Sequence, residues 1–227
     1  SALCEKTGAD IEEVSSAIGM DHRIGPKFLK ASVGFGGSCF QKDILNLVYL
    51  CRHYGLDEVA EYWHQVVKIN DYQKNRFAAK IIAGLNRTVN QKKVTFLGWA
   101  FKKNTNDTRE SAAIYVADVL LKEGAELHVY DPMVKEDRIR LDLTTLWEAR
   151  NDSKNEITAK LERCVVHVDY RTALDGSFAA AILTEWDEFI SYDWNAITEK
   201  MMQPAKVFDG RNVINTNKAI NQYFIGR

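Results

Sequence analysis

The sequence holds only 3 prolines and 13 glycines in 227 residues, which excludes collagen-like repeats and Pro/Gly-rich disorder. It has no long apolar run. The longest, Phe178–Leu183, is 6 residues, against the ~18 that a membrane-spanning helix needs. Neither charge sign is in excess: 30 basic and 31 acidic residues leave a formal charge of -1, so no sustained attraction to nucleic acid or to an anionic membrane is expected. Ser1–Asp10 lacks the basic start and apolar core of a secretory leader. Four cysteines, at positions 4, 39, 51 and 164, are too few for a disulfide framework in a chain this long. None has a Cys-x-x-Cys spacing and no His-x3-His pair accompanies them, so no metal site is expected. A soluble globular chain with reduced thiols, located in the cytoplasm, is the expectation. Because it begins at Ser1, without Met and in a helical pattern, it reads as a piece of a longer protein.

The texture changes near residue 91. Before that point the pattern is helical. Asp10–Ala17 is amphipathic, with Glu12 and Glu13 suiting its positive end. Leu45 to Cys51 forms a second helix closed by Gly55. From Asp57 to Leu85, apolar residues including Val59, Trp63, Val66, Val67, Phe77, Ile81 and Ile82 recur at helical spacing. A helix of ~30 residues spans about 45 Å, more than one small domain covers. The alternatives are a core helix between two domains and a spine that also forms a subunit interface.

After residue 91, strand and helix alternate. Lys93–Gly98, Glu126–Tyr130, Cys164–Val168, Ala179–Leu183 and Lys206–Phe208 read as strands; Ser111–Lys122 and Asp193–Met202 read as helices. Such alternation predicts parallel strands with right-handed crossovers, a doubly wound α/β domain. Residues 136–160, polar, helix-prone and with few apolar anchors, are expected to be a surface excursion.

Three segments can carry chemistry. In Lys30-Ala-Ser-Val-Gly-Phe-Gly-Gly-Ser-Cys39, three glycines in four positions let a ligand approach main-chain N–H groups. The loop runs into a helix beginning near Asp43, so Cys39 lies close to a helix N-terminus and to Lys42. A thiol so placed is expected to carry more thiolate, the form that attacks electrophiles, and Asp43 is placed to orient a water. An ordinary glycine turn with a packed cysteine is the competing reading. Second, Gly98-Trp-Ala-Phe-Lys-Lys-Asn-Thr-Asn-Asp-Thr-Arg-Glu-Ser111 joins the first strand to its helix. It is not a Gly-x-Gly-x-x-Gly fingerprint, but Lys102, Lys103 and Arg109 suit a phosphate-bearing ligand; a solvated charged loop is the alternative. Third, Phe208-Asp-Gly-Arg211 ends a strand at the corresponding place in a doubly wound sheet.

Together these segments, with Val129-Tyr-Asp-Pro132 and Thr184-Glu-Trp-Asp187, resemble the UDP-glucose 6-dehydrogenase family, in its eukaryotic-type form. The resemblance covers essentially the whole chain. It implies a helical central dimerisation domain with a long spine helix over residues 1–90, followed by a doubly wound Rossmann-like UDP-binding domain over 91–227. The family's N-terminal NAD-binding domain has no counterpart here, nor do its catalytic Lys and the Glu that assists hydrolysis. The implied reaction is oxidation of UDP-glucose to UDP-glucuronate by two NAD, through a cysteine thiohemiacetal and thioester. Cys39 is then the nucleophile, and Asp43 helps activate the hydrolytic water or stabilises the intermediate. Lys30, Ala31, Ser32, Val33, Gly34, Phe35 and Gly36 line the UDP-sugar, with Phe101, Lys102 and Arg211, while Arg23 reaches into the neighbouring subunit's site. Cys39, Phe40, Lys42 and Arg109 face the NAD, most of whose site belongs to the N-terminal domain. The implied assembly is a dimer through the long helix or a hexamer built as a trimer of dimers. The chain alone is expected to be inactive. The competing substrates are GDP-mannose and a UDP-N-acetylhexosamine, and the competing role is a non-catalytic nucleotide-sugar-binding or oligomerisation module.

Overall fold

Two hydrophobic periodicities, one helical and one alternating strand with helix, organise the molecule. The computed structural model describes residues 1–215 and 220–227. In chain order the elements are α1 (Ala2–Thr7), α2 (Ile11–Gly19), α3 (Phe40–His53), α4 (Asp57–Gly84), β1 (Lys93–Leu97), α5 (Ala112–Lys122), β2 (Glu126–Tyr130), α6 (Glu136–Ala149) and α7 (Lys154–Glu162). They continue with β3 (Cys164–His167), α8 (Tyr170–Leu174), β4 (Ala179–Ile182), α9 (Asp187–Ile190), α10 (Trp194–Lys200), β5 (Lys206–Asp209) and β6 (Asn221–Phe224).

All six strands pair in parallel, in the order β3-β2-β1-β4-β5-β6. The chain builds outward from β1 to β3, then returns to the other side of β1 to lay down β4 onward. The turning point of the topology is thus between β1 and β4, where doubly wound sheets bind ligands at the carboxyl ends of the strands. Every residue of β4 is buried, as expected for a parallel strand covered on both faces. The sequence did not announce β6. Its residues 221–224 are mostly polar or aromatic and only partly buried, and it is held by pairing with β5 and by Phe208 stacked on Tyr223 at 4.7 Å.

The expected surface excursion at 136–160 is overturned. It forms α6 and α7, and α6 buries Ile139, Leu143 and Trp147 completely. Polar residues disguised this face. Asp142 is buried because it accepts the Trp99 indole N–H at 3.0 Å, and Asp118 on α5 accepts that of Trp147 at 2.8 Å. Arg150 and Lys122 close the same Asp118 carboxylate.

At 28 residues, α4 is about 42 Å long, and it serves two cores. Its N-terminal half places Ala60 and Val67 against Ile44, Val48 and Cys51 of α3. Its C-terminal half sends Phe77, Ala78 and Ile81 into the core of the α/β region. Gly84 closes the approach to the sheet: a Cβ there would stand 2.6 Å from the Phe208 ring. Both ends of the chain are tied to this helix, since Glu5 binds Arg76 at 2.5 Å and Lys80 at 3.1 Å while accepting the Gly226 N–H at 2.7 Å.

Candidate functional site

The three segments singled out in the sequence meet at the carboxyl end of the sheet. Asp131, at the end of β2, accepts the N–H groups of Trp99 and Ala100 at 2.6 and 3.0 Å and the Trp186 indole N–H at 3.1 Å. Thr184, after β4, donates its hydroxyl to the Ala100 carbonyl at 2.6 Å. It lies so close to Gly98 that a Cβ there would fall 2.4 Å from the Thr184 Cβ. The loops after β1, β2 and β4 are therefore one braced unit. After β5, the fully buried Asp209 carboxylate accepts the N–H groups of Arg211, Val213 and Ile214 at 3.0, 2.8 and 2.9 Å. Burial pushes its pKa up, against the lowering effect of these amides. Asp209 shapes the turn that presents Arg211.

The glycine loop crosses this unit. Gly37 donates its N–H to the Arg109 carbonyl at 2.8 Å and faces the Phe101 ring. A Cβ on Gly36 would stand 2.5 Å from the Glu110 carbonyl oxygen, so glycine there is a requirement of close approach. Further back, Val33 is buried over Gly210, where a Cβ would come within 2.2 Å of its methyl; only its backbone faces outward chemistry. The long helix grips the same stretch. Asn70, buried, accepts the Phe35 N–H at 2.9 Å and donates to the Phe35 carbonyl at 3.0 Å, while Gln73 donates to the Ser32 carbonyl at 2.7 Å. Ser32 Oγ accepts the Gly34 N–H at 3.2 Å, and Ala31 is partly buried against the main core.

Cys39 stands at the N-cap of α3, exposed, with its sulfur 3.6 Å from Ser38 Oγ. Cys4, Cys51 and Cys164 are all buried. Asp43, one turn on, donates its N–H to the Cys39 carbonyl at 2.8 Å; its carboxylate is exposed, 3.8 Å from Lys42 Nζ. Phe40 meets Phe35 edge-on at 4.7 Å. Lys30, Ser32, Gly34, Phe35, Phe40 and Asn70 share one groove of about 710 Å³.

The cations are differently placed. Arg109 is held by Asp107 through Nε and Nη2 at 3.0 and 2.7 Å, and Lys103 by Asp187 at 2.5 Å. The Lys102 ammonium lies 5.4 Å from the Phe101 ring centre. Arg211 is mostly buried and ion-paired with Glu185; burial lowers its pKa against the opposing effect of Glu185 and Asp209. Lys30 pairs with Glu12 at 2.7 Å on the surface. Arg23 lies on an exposed turn, bound to Asp21 at 2.6 Å, and that arginine holds the Asp21 carboxyl below its ordinary pKa.

Residues that the sequence did not mark include Asn70, Gln73, Glu110 and Glu185. Asn70 had a signal: a polar residue in register with Val67, Phe77 and Ile81 on the buried side of α4. Glu110 and Glu185 lie inside quoted motifs but were given no role there, since no periodicity betrays their contacts. Among the described residues no three His, Cys, Asp or Glu side chains could hold a metal ion.

The fold and site define a doubly wound α/β unit joined to a helical one, with an exposed cysteine on a glycine loop laid across the β1 and β5 ends. Comparison with known proteins narrows this class. The central-domain model of the UDP-glucose/GDP-mannose dehydrogenase family matches residues 1–72, and the family's UDP-binding-domain model matches 95–216. The chain belongs to the UDP-glucose/GDP-mannose dehydrogenase family. It is 56% identical over 214 residues to the UDP-glucose 6-dehydrogenase of Bos taurus, covering 94% of this chain and 42% of that protein. It is 53% identical over 221 residues to UDP-glucose 6-dehydrogenase 4 of Arabidopsis thaliana, covering 96% and 46%. It also resembles the solved UDP-glucose dehydrogenase of Pyrobaculum islandicum, with a TM-score of 0.72 and 29% identity over 98% of this chain and 44% of that one. The chain spans less than half the length of these relatives.

Proposed function

We propose that the chain forms the central (1–90) and UDP-binding (91–227) parts of a cytoplasmic, NAD-dependent enzyme that oxidises C6 of UDP-glucose to a carboxylate. The observation that carries this reading is the crossing of the Cys39 loop over Phe101 and Arg109 at the turning point of the sheet, with Arg211 presented beside Val33. The identity of 53–56% to UDP-glucose 6-dehydrogenases supports UDP-glucose rather than GDP-mannose or an N-acetylhexosamine.

In this reading the 30–36 stretch and Phe101 cradle the sugar nucleotide, and Lys102 and Arg211 face its diphosphate. The thiolate of Cys39 adds to the C6 aldehyde, forming a C–S bond and a thiohemiacetal. After a second oxidation the adduct is a thioester. Asp43 orients a water whose oxygen attacks that carbonyl; the C–S bond breaks, the thiolate leaves and the carboxylate departs. The chemistry that a bound NAD would supply is that of hydride acceptor in both oxidations. This chain fits an edge of that cofactor: Asp107 occupies Nε and Nη2 of Arg109, the residue remains exposed, and Phe40 and Lys42 stand exposed beside Cys39. The exposed face of α4 supports a dimer, from which a hexamer is built as a trimer of dimers, with Arg23 reaching the neighbouring site.

The test has two arms. In the complete enzyme, Cys39→Ser abolishes acid formation and leaves UDP-glucose affinity within about three-fold, or ~0.7 kcal/mol, because a serine hydroxyl ionises far less readily than a thiol. In the 227-residue chain, calorimetry shows weak UDP-glucose binding, and an absorbance assay shows no NADH. Near-normal NADH production by the serine variant, or a complete lack of UDP binding, would reject the reading.

A further inference from the structure

The thiol-bearing loop is held from one side by α4, through Asn70 and Gln73. Its other side meets Phe101 and the Arg109–Glu110 backbone, and Glu110, given no role above, adds its side chain. Glu110 is not a glycine, yet its φ is 54°. A left-handed conformation at such a residue costs on the order of 1 kcal/mol or more and persists only where surrounding contacts impose it. Its contacts show what imposes it. Its Oε2 accepts Gln41 Nε2 at 2.9 Å and the Tyr115 hydroxyl at 2.6 Å. Its main-chain carbonyl fills the space that Gly36 leaves by lacking a Cβ, and the carbonyl just before it, that of Arg109, accepts the Gly37 N–H. One residue therefore meets the loop before the cysteine with its backbone and the first turn of α3 after the cysteine with its carboxylate.

The far end of this contact is also anchored. Tyr115, on α5, carries Lys74 Nζ 3.8 Å above its ring, and Lys74, on α4, is almost wholly buried. Burial and the Glu110 carboxylate raise the tyrosine's pKa, so its hydroxyl remains a donor. Elements α3 and α5 thus converge on one carboxylate, and α4 backs the tyrosine that holds it.

We infer that Glu110 is a positioning residue for Cys39: it fixes the chain on both sides of the thiol, its backbone packed against Gly36 beside the Arg109–Gly37 hydrogen bond and its carboxylate holding Gln41. Because Glu110 follows Arg109 directly, the same clamp sets the register between the thiol and the exposed guanidinium. The mechanical part of this inference stands on contacts alone. Its catalytic meaning rests on the nucleophile role proposed for Cys39.

The test uses the 227-residue chain in four forms: native, Glu110→Ala, Glu110→Gln and Gln41→Leu. Two measurements are made on each, amide hydrogen exchange of peptides covering 34–44 and the rate of Cys39 alkylation by iodoacetamide at neutral pH. Glu110→Ala raises exchange of the Gly37 peptide about tenfold, equivalent to ~1.4 kcal/mol of local opening, while peptides from β1 and β4 stay protected. The alkylation rate of the exposed Cys39 thiol changes about threefold or more, because the loop that carries it is no longer held on both sides. Glu110→Gln, whose amide oxygen still accepts a hydrogen bond, brings both readings back to within about twofold of native. Gln41→Leu leaves Glu110 in place and reproduces the alanine result; it decides the matter alone if Glu110→Ala does not fold. Native exchange in 34–44 for the Ala and Leu variants would overturn the inference, as would a Gln variant as disturbed as the Ala one. These readings are indifferent to whether Cys39→Ser retains activity, so failure of the clamp and failure of the proposed reaction are told apart.

Discussion

The helical and the sheet-bearing parts of this chain bury their apolar surface on very different scales. Beneath α3 the buried cluster is only Ile44, Val48, Cys51, Ala60 and Val67. The cluster around the sheet takes in all of β4, most of α5 and the large side chains Phe96, Trp99, Trp147, Phe189 and Phe208. Large apolar groups remain exposed on the helical side, among them Phe28, Tyr49, Val59, Tyr62, Ile69 and Tyr72. Folding free energy scales with apolar area removed from water, so the sheet region supplies the rigid frame. The Cys39 loop sits on the weakly buried side and borrows its order from that frame, through Gly37 and Glu110. A reactive loop placed so can move without unfolding what it leans on.

The largest expected effect breaks this comparison at its strong end. Trp147→Ala removes a fully buried indole and one of the three side chains that donate to Asp118. It should cost about 3–5 kcal/mol. Val67→Ala, in the small cluster, should cost about 1–2 kcal/mol. Urea unfolding followed by tryptophan fluorescence compares the two; equal losses would mean that the helical part is as tightly packed as the sheet.

The same contrast explains what the sequence disclosed. The alternation from residue 93 onward was legible because strands such as Ala179–Ile182 are buried on both faces and read as apolar runs. The long helix was legible from its period. Residues 136–160 were misread because the face of α6 that turns inward contains Asp142, a buried acceptor for an indole, and a rule that equates burial with hydrophobicity counts it as surface. At the site, Cys39 and its glycines were visible as composition. The clamps on them, Asn70 and Glu110, were not, since a polar residue declares its partner only in three dimensions. Whether the loop's glycines served flexibility or close approach was equally hidden; Gly36 against Glu110 shows close approach.

Asn70→Ala sharpens the comparison at the seam between the two parts. The Phe35 N–H and carbonyl both lose their partner, a loss of about 1–3 kcal/mol. Because the seam belongs to the loop, most of it should appear as faster hydrogen exchange in residues 32–37 and weaker UDP binding, and little as a lower melting point. A melting point depressed with the loop still protected would contradict this.

A smaller effect concerns the exposed face of α4. Tyr62→Glu alters a side chain that is 69% exposed, so the stability of an isolated chain should change by no more than about 0.5 kcal/mol. If the face forms the proposed dimer, burying a charge there should weaken association tenfold or more, which sedimentation at micromolar concentration measures. An unchanged dimer would move the contact elsewhere.

The smallest effect is on α1, whose one carboxylate ion-paired with α4 is that of Glu5, beside weaker bonds from Gln73 and Arg76 to the Ser1 hydroxyl. Burial alone raises the pKa of Glu5, but the Gly226 N–H, Lys80 and Arg76 outweigh it and hold the carboxyl below its ordinary value of 4.5. A carboxyl whose pKa is lower folded than unfolded contributes stability that is complete above the unfolded value and is lost as pH falls through the folded one. The chain should therefore keep α1 docked at neutral pH and release it only below about pH 4.5. Neutralising the carboxylate leaves Arg76 and Lys80 facing one another without their shared partner, while the Gly226 N–H keeps a weaker acceptor. Release should be confined to residues 1–10 and the 224–227 end, since the sheet core has no part in this ion pair. Glu5→Gln should show that loosened state already at pH 7 and lose most of the acid dependence. Limited proteolysis near Gly8, run from pH 7 down to pH 3.5, measures it. Cleavage that accelerates equally in native and Glu5→Gln chains as pH falls would show that another group fastens this helix.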